Sequence, residues 1–285
     1  MNQVMSYRVT FMIAVFFGLF LLSQMTMFVV HQIWDVNVAW NVLQYCVDAF
    51  NNLAGESKIL AMLANIFIVY TFVKIGLRLF KQSKHHKQWV SHLHKAEDIM
   101  ATNKVRQMFG MNRLVVVRDE NMYAIVFGLF APRIAVSSAI ISSLSDDELK
   151  AVLSHERYHC HRLHPLKMFI LTVLAECFSY LPVFRQVLHY YKCWTEIEAD
   201  RYAVRATGDM QSLGNALLKL VRSHKNQGRQ FAYAQFADYA VNYRIKHLLV
   251  PDEPVRIRAF SKFAFAVSSI GVLALTSGMI GGCLL

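Results

Sequence analysis

Charged residues are scarce in this sequence. They make up 17% of its 285 residues, while hydrophobic residues make up 55%. Soluble domains have about 25% charged and roughly 45–50% apolar residues. This balance argues against an ordinary soluble protein and favours a membrane protein that carries a polar domain. Acidic residues are fewer than basic ones, 19 against 30, and the formal net charge is +11. That charge suits nucleic acid, anionic lipid or the basic cytoplasmic flanks of membrane spans.

Cysteine is sparse as well, and no two cysteines form a C-x-x-C pair. An odd number of cysteines without paired spacing favours neither a disulfide framework nor a thiolate zinc site. The five cysteines are Cys46, Cys160, Cys177, Cys193 and Cys283. The sequence also lacks internal repeats and low-complexity tracts.

Three long apolar runs are each expected to span the membrane as a helix. Residues 9–30 carry no charge and are long enough to cross roughly 30 Å of hydrocarbon. A secretory signal is the alternative, but its apolar core is only about 7–15 residues long. Residues 59–80 form the second span, with Lys74 and Arg78 near its end, and residues 263–285 form the third.

Basic residues immediately after the second span predict the orientation of the chain. Residues 81–95, KQSKHHKQWVSHLHK, contain four lysines, whereas the segment between the first two spans contains only Lys58. The positive-inside rule therefore places the N-terminus and everything after residue 80 in the cytoplasm. A basic cluster beside a span is expected to meet anionic lipid, and we expect no direct nucleic-acid binding. In the first loop, VAWNVLQYCVDAF is either an interfacial helix or a plain loop.

The expected organisation is an N-terminal membrane hairpin (9–80), a cytoplasmic domain (81–262) and a C-terminal transmembrane helix (263–285). The domain starts with short runs of β-branched and aromatic residues that predict three strands. These runs are RLVVV (113–117), YAIVF (123–127) and RIAVS (133–137). Ser145 and Glu148 then have capping-box spacing and predict a helix from Asp146 to about residues 161–163.

That helix carries the motif H-E-x-x-H as His155, Glu156 and His159. A spacing of four places both imidazoles on one helical face, where they can bind one zinc ion per chain. Glu156 is then the expected general base, which takes a proton from the attacking water. The alternative is a basic helix whose histidines face solvent. His161 and His164 favour that alternative in part, because they lie off the His155/His159 face and need another role.

The segment WTEIEADRYAV is expected to complete the site. Glu196 and Asp200 are four residues apart and share one helical face. Glu196 can supply the third protein ligand that a catalytic zinc requires. Asp200 can accept a hydrogen bond from a ligating imidazole and fix its tautomer, while Glu198 points elsewhere. The alternative is a solvated acidic helix face.

HERYH followed by EIEADRYA, with FGLFAPRIAVSS and LSDDELKAVLSHE upstream, resembles the gluzincin membrane metallopeptidases. The pattern looks closest to the BlaR/MecR-like family of bacterial integral-membrane peptidases, and more distantly to the HtpX and CAAX prenyl protease group. The resemblance implies an α+β metallopeptidase domain in which His155, His159 and Glu196 bind zinc. It also implies Glu156 as the base and Asp200 as the partner of a ligand. Antibiotic receptors of the family carry an extracellular sensor after the last span, and with the sequence ending at Leu285 we expect no such sensor.

The apolar run from 166 to 181 bears on this metal site. A single crossing would leave Glu196 outside and His155 inside, so no shared site could form. We therefore expect a returning helical hairpin over about 166–192, either re-entrant or dipping into the membrane. A conventional third span is the rival, and it is incompatible with the metal triad.

The substrate is expected to bind as an added strand beside the strand that contains Ala124, Ile125 and Val126. Ordinary sheet core is the alternative role for these three residues. A donor to the transition-state oxyanion is also needed. Arg244, Tyr202 and His224 are its candidates, and the sequence does not separate them.

These features and the resemblance predict a zinc-dependent endopeptidase that crosses the bacterial cytoplasmic membrane several times. Its active site is expected to face the cytoplasm. Its expected substrate is a cytoplasmic protein or the cytoplasmic part of a membrane protein. The resemblance implies regulated proteolysis, for example of a transcriptional repressor. Two alternatives stay open: an HtpX-like quality-control protease, and a non-catalytic signalling scaffold stabilised by zinc.

Overall fold

Helices dominate the described part of the chain, and one small sheet accompanies them. A computed structural model describes residues 2–34, 41, 43–44, 58–226, 242–247, 257, 261 and 266–269. The helices are α1 (Asn2–Trp34), α2 (Lys58–Ala96), α3 (Ile99–Phe109), α4 (Ser138–Ser143), α5 (Asp146–His161), α6 (His164–Cys177), α7 (Pro182–Thr207) and α8 (Met210–Asn226). The strands are β1 (Leu114–Val117), β2 (Ala124–Phe127) and β3 (Arg133–Ser137). Nearly all of the first loop and of the predicted third span lies outside the described residues.

The first two predicted spans are helices of sufficient length. Within the described residues, Tyr7–Trp34 and Met62–Leu93 are long and apolar enough to cross a bilayer. Helix α2 does not end with the apolar run at residue 80 but continues to Ala96. Residues 81–96 contain neither proline nor glycine, so nothing in them terminates the helix.

The chain divides into two compact units. The first unit comprises Met1–Lys81, Ile170–Leu188 and Arg258–Leu285, and the second comprises Gln82–Phe169 and His189–Ile257. In the first unit, a Cβ added to Gly18 of α1 would lie 2.5 Å from a Cδ of Leu174 in α6. The missing side chain of this glycine therefore lets the two helices pack closely.

The sheet of the second unit has the order β1-β3-β2, with β1 parallel and β2 antiparallel to β3. Strand residues alternate between its two faces. Leu114 and Val116 of β1 face a core that includes Leu149 and Leu153 of α5, whereas Val115 and Val117 pack with Leu93 of α2. The sheet therefore lies between the end of α2 and α5, and β2 forms one of its edges.

Helix α5 begins where the sequence predicted, and its first turn holds it to α8. The Ser145 side chain accepts from the backbone N–H of Glu148, and the Glu148 carboxylate accepts from the backbone N–H of Ser145. Both halves of the predicted capping box are therefore present. The same carboxylate lies 2.6 Å from Nζ of Lys219 in α8. This pairing fixes the start of the helix that carries the histidines.

Short turns join α6 to the helices before and after it. Leu163 adopts a φ of 51° between α5 and α6, and residues 178–181 form the turn between α6 and α7. Helix α6 has 14 residues and is about 21 Å long, shorter than the roughly 30 Å of a membrane interior. Helix α7 brings Glu196 to within 3.4 Å of His155. A single crossing between these two residues is incompatible with that distance.

Candidate metal centre

Three side chains converge between α5 and α7. Nε2 of His155 lies 3.1 Å from Nε2 of His159. Oxygens of Glu196 lie 3.4 Å from Nε2 of His155 and 3.7 Å from Nε2 of His159. The helical spacing explains the first contact, because residues four apart lie one turn above each other. The structure therefore brings together the three ligands that the sequence predicted.

The donor set at this centre fits a divalent metal ion. The three donor groups all lie within 4.8 Å of one another. Two imidazole nitrogens and one carboxylate this close together provide three ligand atoms that a bound cation would stabilise. Two histidines and one glutamate are a known ligand set of catalytic zinc. The Glu196 side chain keeps 22% of its surface exposed, so the centre is open on one side.

Asp200 contacts the second ring nitrogen of His155. Oδ1 of Asp200 lies 2.8 Å from Nδ1 of His155, although the N–H direction is not aligned well enough to count as a hydrogen bond. Asp200 is fully buried. Arg244 donates to both of its carboxylate oxygens, from Nε at 2.8 Å and from Nη2 at 2.9 Å. Nη1 of Arg244 also lies 3.3 Å from Glu196. Arg244 thus holds both carboxylates in place.

His164 contacts the second ring nitrogen of His159. The sequence predicted no partner for that nitrogen. The Nδ1 atoms of the two rings are 2.7 Å apart. His164 is 4% exposed, so it does not support the alternative of solvent-facing histidines. Helical periodicity could not reveal this contact, because His164 belongs to the next helix. His161, by contrast, is exposed and accepts from Arg157.

The charges of the metal-free centre are strongly coupled. Burial raises the pKa of Glu156 to about 7, although neighbouring His155 opposes the rise. Burial also disfavours the charge of Glu196, but His159, His155 and Arg244 hold its pKa well below the usual range. Arg244 and His155 likewise lower the pKa of Asp200 against the effect of its burial. Glu156 is therefore the carboxylate of the site that can exchange a proton near neutral pH.

The pKa values of His155, His159 and His164 are shifted in different directions. Burial and Arg244 disfavour the charged form of His155, but Asp200 and Glu196 outweigh them and raise its pKa to about 9. Burial lowers the pKa of His159 to about 4 and that of His164 to about 2. In the metal-free centre His159 and His164 are therefore neutral near pH 7, and the proton resides on His155.

The other residues that the sequence singled out lie at different positions around the centre or on the sheet. Glu198 turns away from the centre, as expected, and pairs with Arg201 at 2.8 Å. The ring of Tyr202 packs against that of Tyr158 at 5.3 Å. The side chain of His224 lies outside the described residues. Ala124, Ile125 and Val126 lie on β2, an edge strand that contacts α5, and all three are partly buried.

A family model described as BlaR1 peptidase M56 matches residues 22–248, most of the chain. The chain belongs to the BlaR1 peptidase M56 family. The predicted resemblance to BlaR/MecR-like proteins is confirmed. The matched region includes His155, His159, Glu196 and Arg244.

Two known proteins are similar to this BlaR1-family chain. The regulatory protein BlaR1 of Bacillus licheniformis is 27% identical over 173 residues, which are 59% of this chain and 27% of that protein. The crystal structure of S. mikatae Ste24p aligns with 79% of this chain and 64% of its own, at 15% identity and a TM-score of 0.36. That TM-score is too low to support a conclusion about the fold. The match to BlaR1 covers about a quarter of the length of that relative.

Proposed function

We propose that this protein is a membrane-bound zinc endopeptidase that hydrolyses peptide bonds of cytoplasmic or membrane-protein substrates. One observation carries the proposal. Donor atoms of His155, His159 and Glu196 lie within 4.8 Å of one another, and Glu156, with a raised pKa, is next to His155 on the same helix. A zinc ion held there would polarise the scissile carbonyl and lower the pKa of a water molecule. Membership of a peptidase family supports the same conclusion.

Each side chain of the centre has its own role in the proposed hydrolysis. Glu156 accepts a proton from the attacking water at a carboxylate oxygen and passes it to the leaving amine nitrogen. The Asp200 carboxylate, 2.8 Å from Nδ1 of His155, favours a proton on that nitrogen and leaves Nε2 for the metal, and Arg244 holds Asp200 by two hydrogen bonds. Because its donors already face these carboxylates, Arg244 is less suited to the oxyanion than the sequence suggested.

The substrate would enter as an extended peptide along β2. Edge strands have unpaired backbone groups that can pair with an added strand. Strand β2 is paired on one side by β3 and contacts α5, the helix of the histidines. Ala124, Ile125 and Val126 would then provide the backbone hydrogen bonds to the substrate.

The biological role that we favour is regulated proteolysis at the cytoplasmic face of a bacterial membrane. The similar Bacillus licheniformis protein is named a regulatory protein, and a transcriptional repressor is a substrate suited to such a role. The basic residues after the second span support the orientation. A third span over 263–285 and a membrane-dipping hairpin over about 166–192 complete the proposed topology.

Metal content and cleavage, measured together on detergent-purified full-length protein, test the proposal. We expect about one zinc per chain in the wild type, with none in His155→Ala or Glu196→Ala, because each removes one of the few ligands that hold the ion. His161→Ala is the matched control and keeps its zinc. Glu156→Gln should keep the metal but cleave a denatured casein probe about 10²–10⁴-fold more slowly.

Different outcomes contradict different parts of the proposal. Zinc retained by Glu196→Ala would remove that residue from the ligand set. Equal cleavage by the wild type and Glu156→Gln would exclude Glu156 as the base. A wild type without zinc after metal-replete expression would overturn the metallopeptidase assignment, and a zinc protein whose biological function survives Glu156→Gln would be a scaffold.

A further inference from the structure

His164 makes a specific contact with the candidate centre from outside the H-E-x-x-H motif. It is the first residue of α6, and its Nδ1 lies 2.7 Å from Nδ1 of His159. The side chain is almost completely buried. Both atoms are ring nitrogens, so the contact requires that one of them donates and the other accepts.

Metal binding would allow only one arrangement of these protons. Nε2 of His159 must keep its electron pair free if it is to bind a metal, so the ring proton of His159 is on Nδ1. That N–H donates to Nδ1 of His164, whose own proton is then on Nε2. With His164 as the acceptor, the Nδ1–Nδ1 contact stabilises the tautomer of His159 that keeps the electron pair of Nε2 free for a metal.

The backbone between the two helices brings His164 to this position. Helix α5 ends at His161, and Leu163 adopts a φ of 51° before α6 begins. A left-handed conformation costs a residue with a β-carbon roughly 1–2 kcal/mol. Such cost is found where the surrounding structure requires an unusual geometry. Here the unusual φ immediately precedes His164, the residue that contacts His159 of α5.

Aromatic rings hold the imidazole of His164 in a fixed orientation. Tyr158 contacts it edge-on, with ring centroids 5.5 Å apart and an interplanar angle of 70°. Tyr191 of α7 contacts it at 6.3 Å and 84°. Rings in such contacts restrict rotation of the imidazole. Nδ1 of His164 is therefore aimed at His159 by packing on two sides.

We infer that His164 is a positioning residue of the metal centre, which accepts the Nδ1 proton of His159 and thereby orients Nε2 of His159 toward the metal. The inference rests on the proposed function, since it concerns how zinc would be held. The two histidines would then be supported differently, His155 by the carboxylate of Asp200 and His159 by a neutral imidazole. A buried histidine with a purely packing role would not need its Nδ1 on this particular atom.

A matched pair of substitutions tests the acceptor itself. Asn and Leu have nearly the same shape, but only Asn offers an oxygen near the position of the lost Nδ1. The zinc dissociation constant of each detergent-purified full-length variant is measured by competition with a chromogenic chelator. We expect His164→Leu to weaken zinc binding by about 10–100-fold, the usual effect of losing a partner of a ligating histidine. His164→Asn should stay close to the wild type, and His161→Ala should match it.

A second measurement separates positioning from packing. Thermal unfolding of the metal-free proteins reports the stability of each variant, and added zinc reports the affinity as an upward shift in Tm. A positioning role predicts that Asn and Leu variants unfold alike without zinc and differ with it. Equal zinc affinity of His164→Leu and His164→Asn would overturn the inference but leave the metal centre intact. Failure of the wild type to bind zinc would overturn the proposed function and the inference with it.

Discussion

The buried carboxylate of Asp200 contacts both Arg244 and His155. Its removal should therefore lower both the stability of the protein and its affinity for zinc. Asp200→Asn keeps the shape but removes the charge that pairs with Arg244 and faces His155. Removing one partner of a buried ion pair costs up to about 3–5 kcal/mol, and here Glu196 stays 3.3 Å from Arg244 as its second carboxylate. We therefore expect a lower Tm in the metal-free protein and a zinc affinity reduced by about 10–100-fold. Thermal unfolding and chelator competition measure the two effects.

The double variant Asp200→Asn/Arg244→Met is the control for this prediction. Removing Arg244 as well should recover part of the lost stability, because the buried guanidinium that has lost the Asp200 carboxylate is then absent. It should not recover zinc affinity, since His155 still lacks its carboxylate. A single variant as stable as the wild type would contradict the assignment of a buried ion pair.

Residue-level prediction succeeded where the information was local. The spacing of four in H-E-x-x-H and in E-x-x-x-D is a property of a single helix, and so the members of each pair could be placed on one face. Arg244 could be placed only in a group of possible oxyanion donors, because its contact with Asp200 joins residues 44 positions apart. No role could be given to His164, because its contact with His159 follows an unusual φ at Leu163 that no local pattern predicts.

At the level of elements, the joint between α5 and α8 depends on pH. Burial alone would raise the pKa of Glu148, but Lys219 and the backbone N–H of Ser145 lower it below its ordinary 4.5. A carboxylate with a depressed pKa stabilises the fold above its ordinary pKa and loses this effect as the pH falls through its folded pKa. We expect Lys219→Met to destabilise the protein by about 1 kcal/mol at pH 7, since Lys219 is partly exposed.

The pH profile distinguishes this ion pair from simple loss of packing. The difference in Tm between wild type and Lys219→Met should be constant above about pH 5 and disappear as the pH falls below 4.5. Lys150→Met, at an exposed position of α5, is the control and should change little at any pH. A difference that persists at low pH would mean that the lysine acts through its methylene groups.

The elements themselves were largely predictable, and their ends less so. The three strands and the start of α5 follow from β-branched runs and a capping box, both of which act within a few residues. The end of α2 was not predicted, because the apolar run stops at residue 80 while helix-forming residues continue to Ala96. Strand order depends on contacts between distant residues, which no local pattern encodes.

For the whole molecule, the distribution of basic residues predicts which side of the membrane holds the metal centre. Moving the lysines of residues 81–95 across a bilayer is unfavourable, so this flank is expected to stay in the cytoplasm. The family match and the two candidate spans agree with a membrane protein but do not give its orientation. Cysteine labelling can measure it, because the chain has few cysteines to replace.

Two single-cysteine variants suffice for this measurement. One keeps only Cys46, in the first loop, and the other keeps none of the native cysteines but has Glu120→Cys, at an exposed position of the second unit. A membrane-impermeant maleimide applied to intact spheroplasts should label Cys46 but not Glu120→Cys, and should label both after lysis. Labelling of Glu120→Cys in intact spheroplasts would place the metal centre outside the cytoplasm. A cytoplasmic repressor could then not be the substrate, and cleavage would have to act on extracytoplasmic proteins instead.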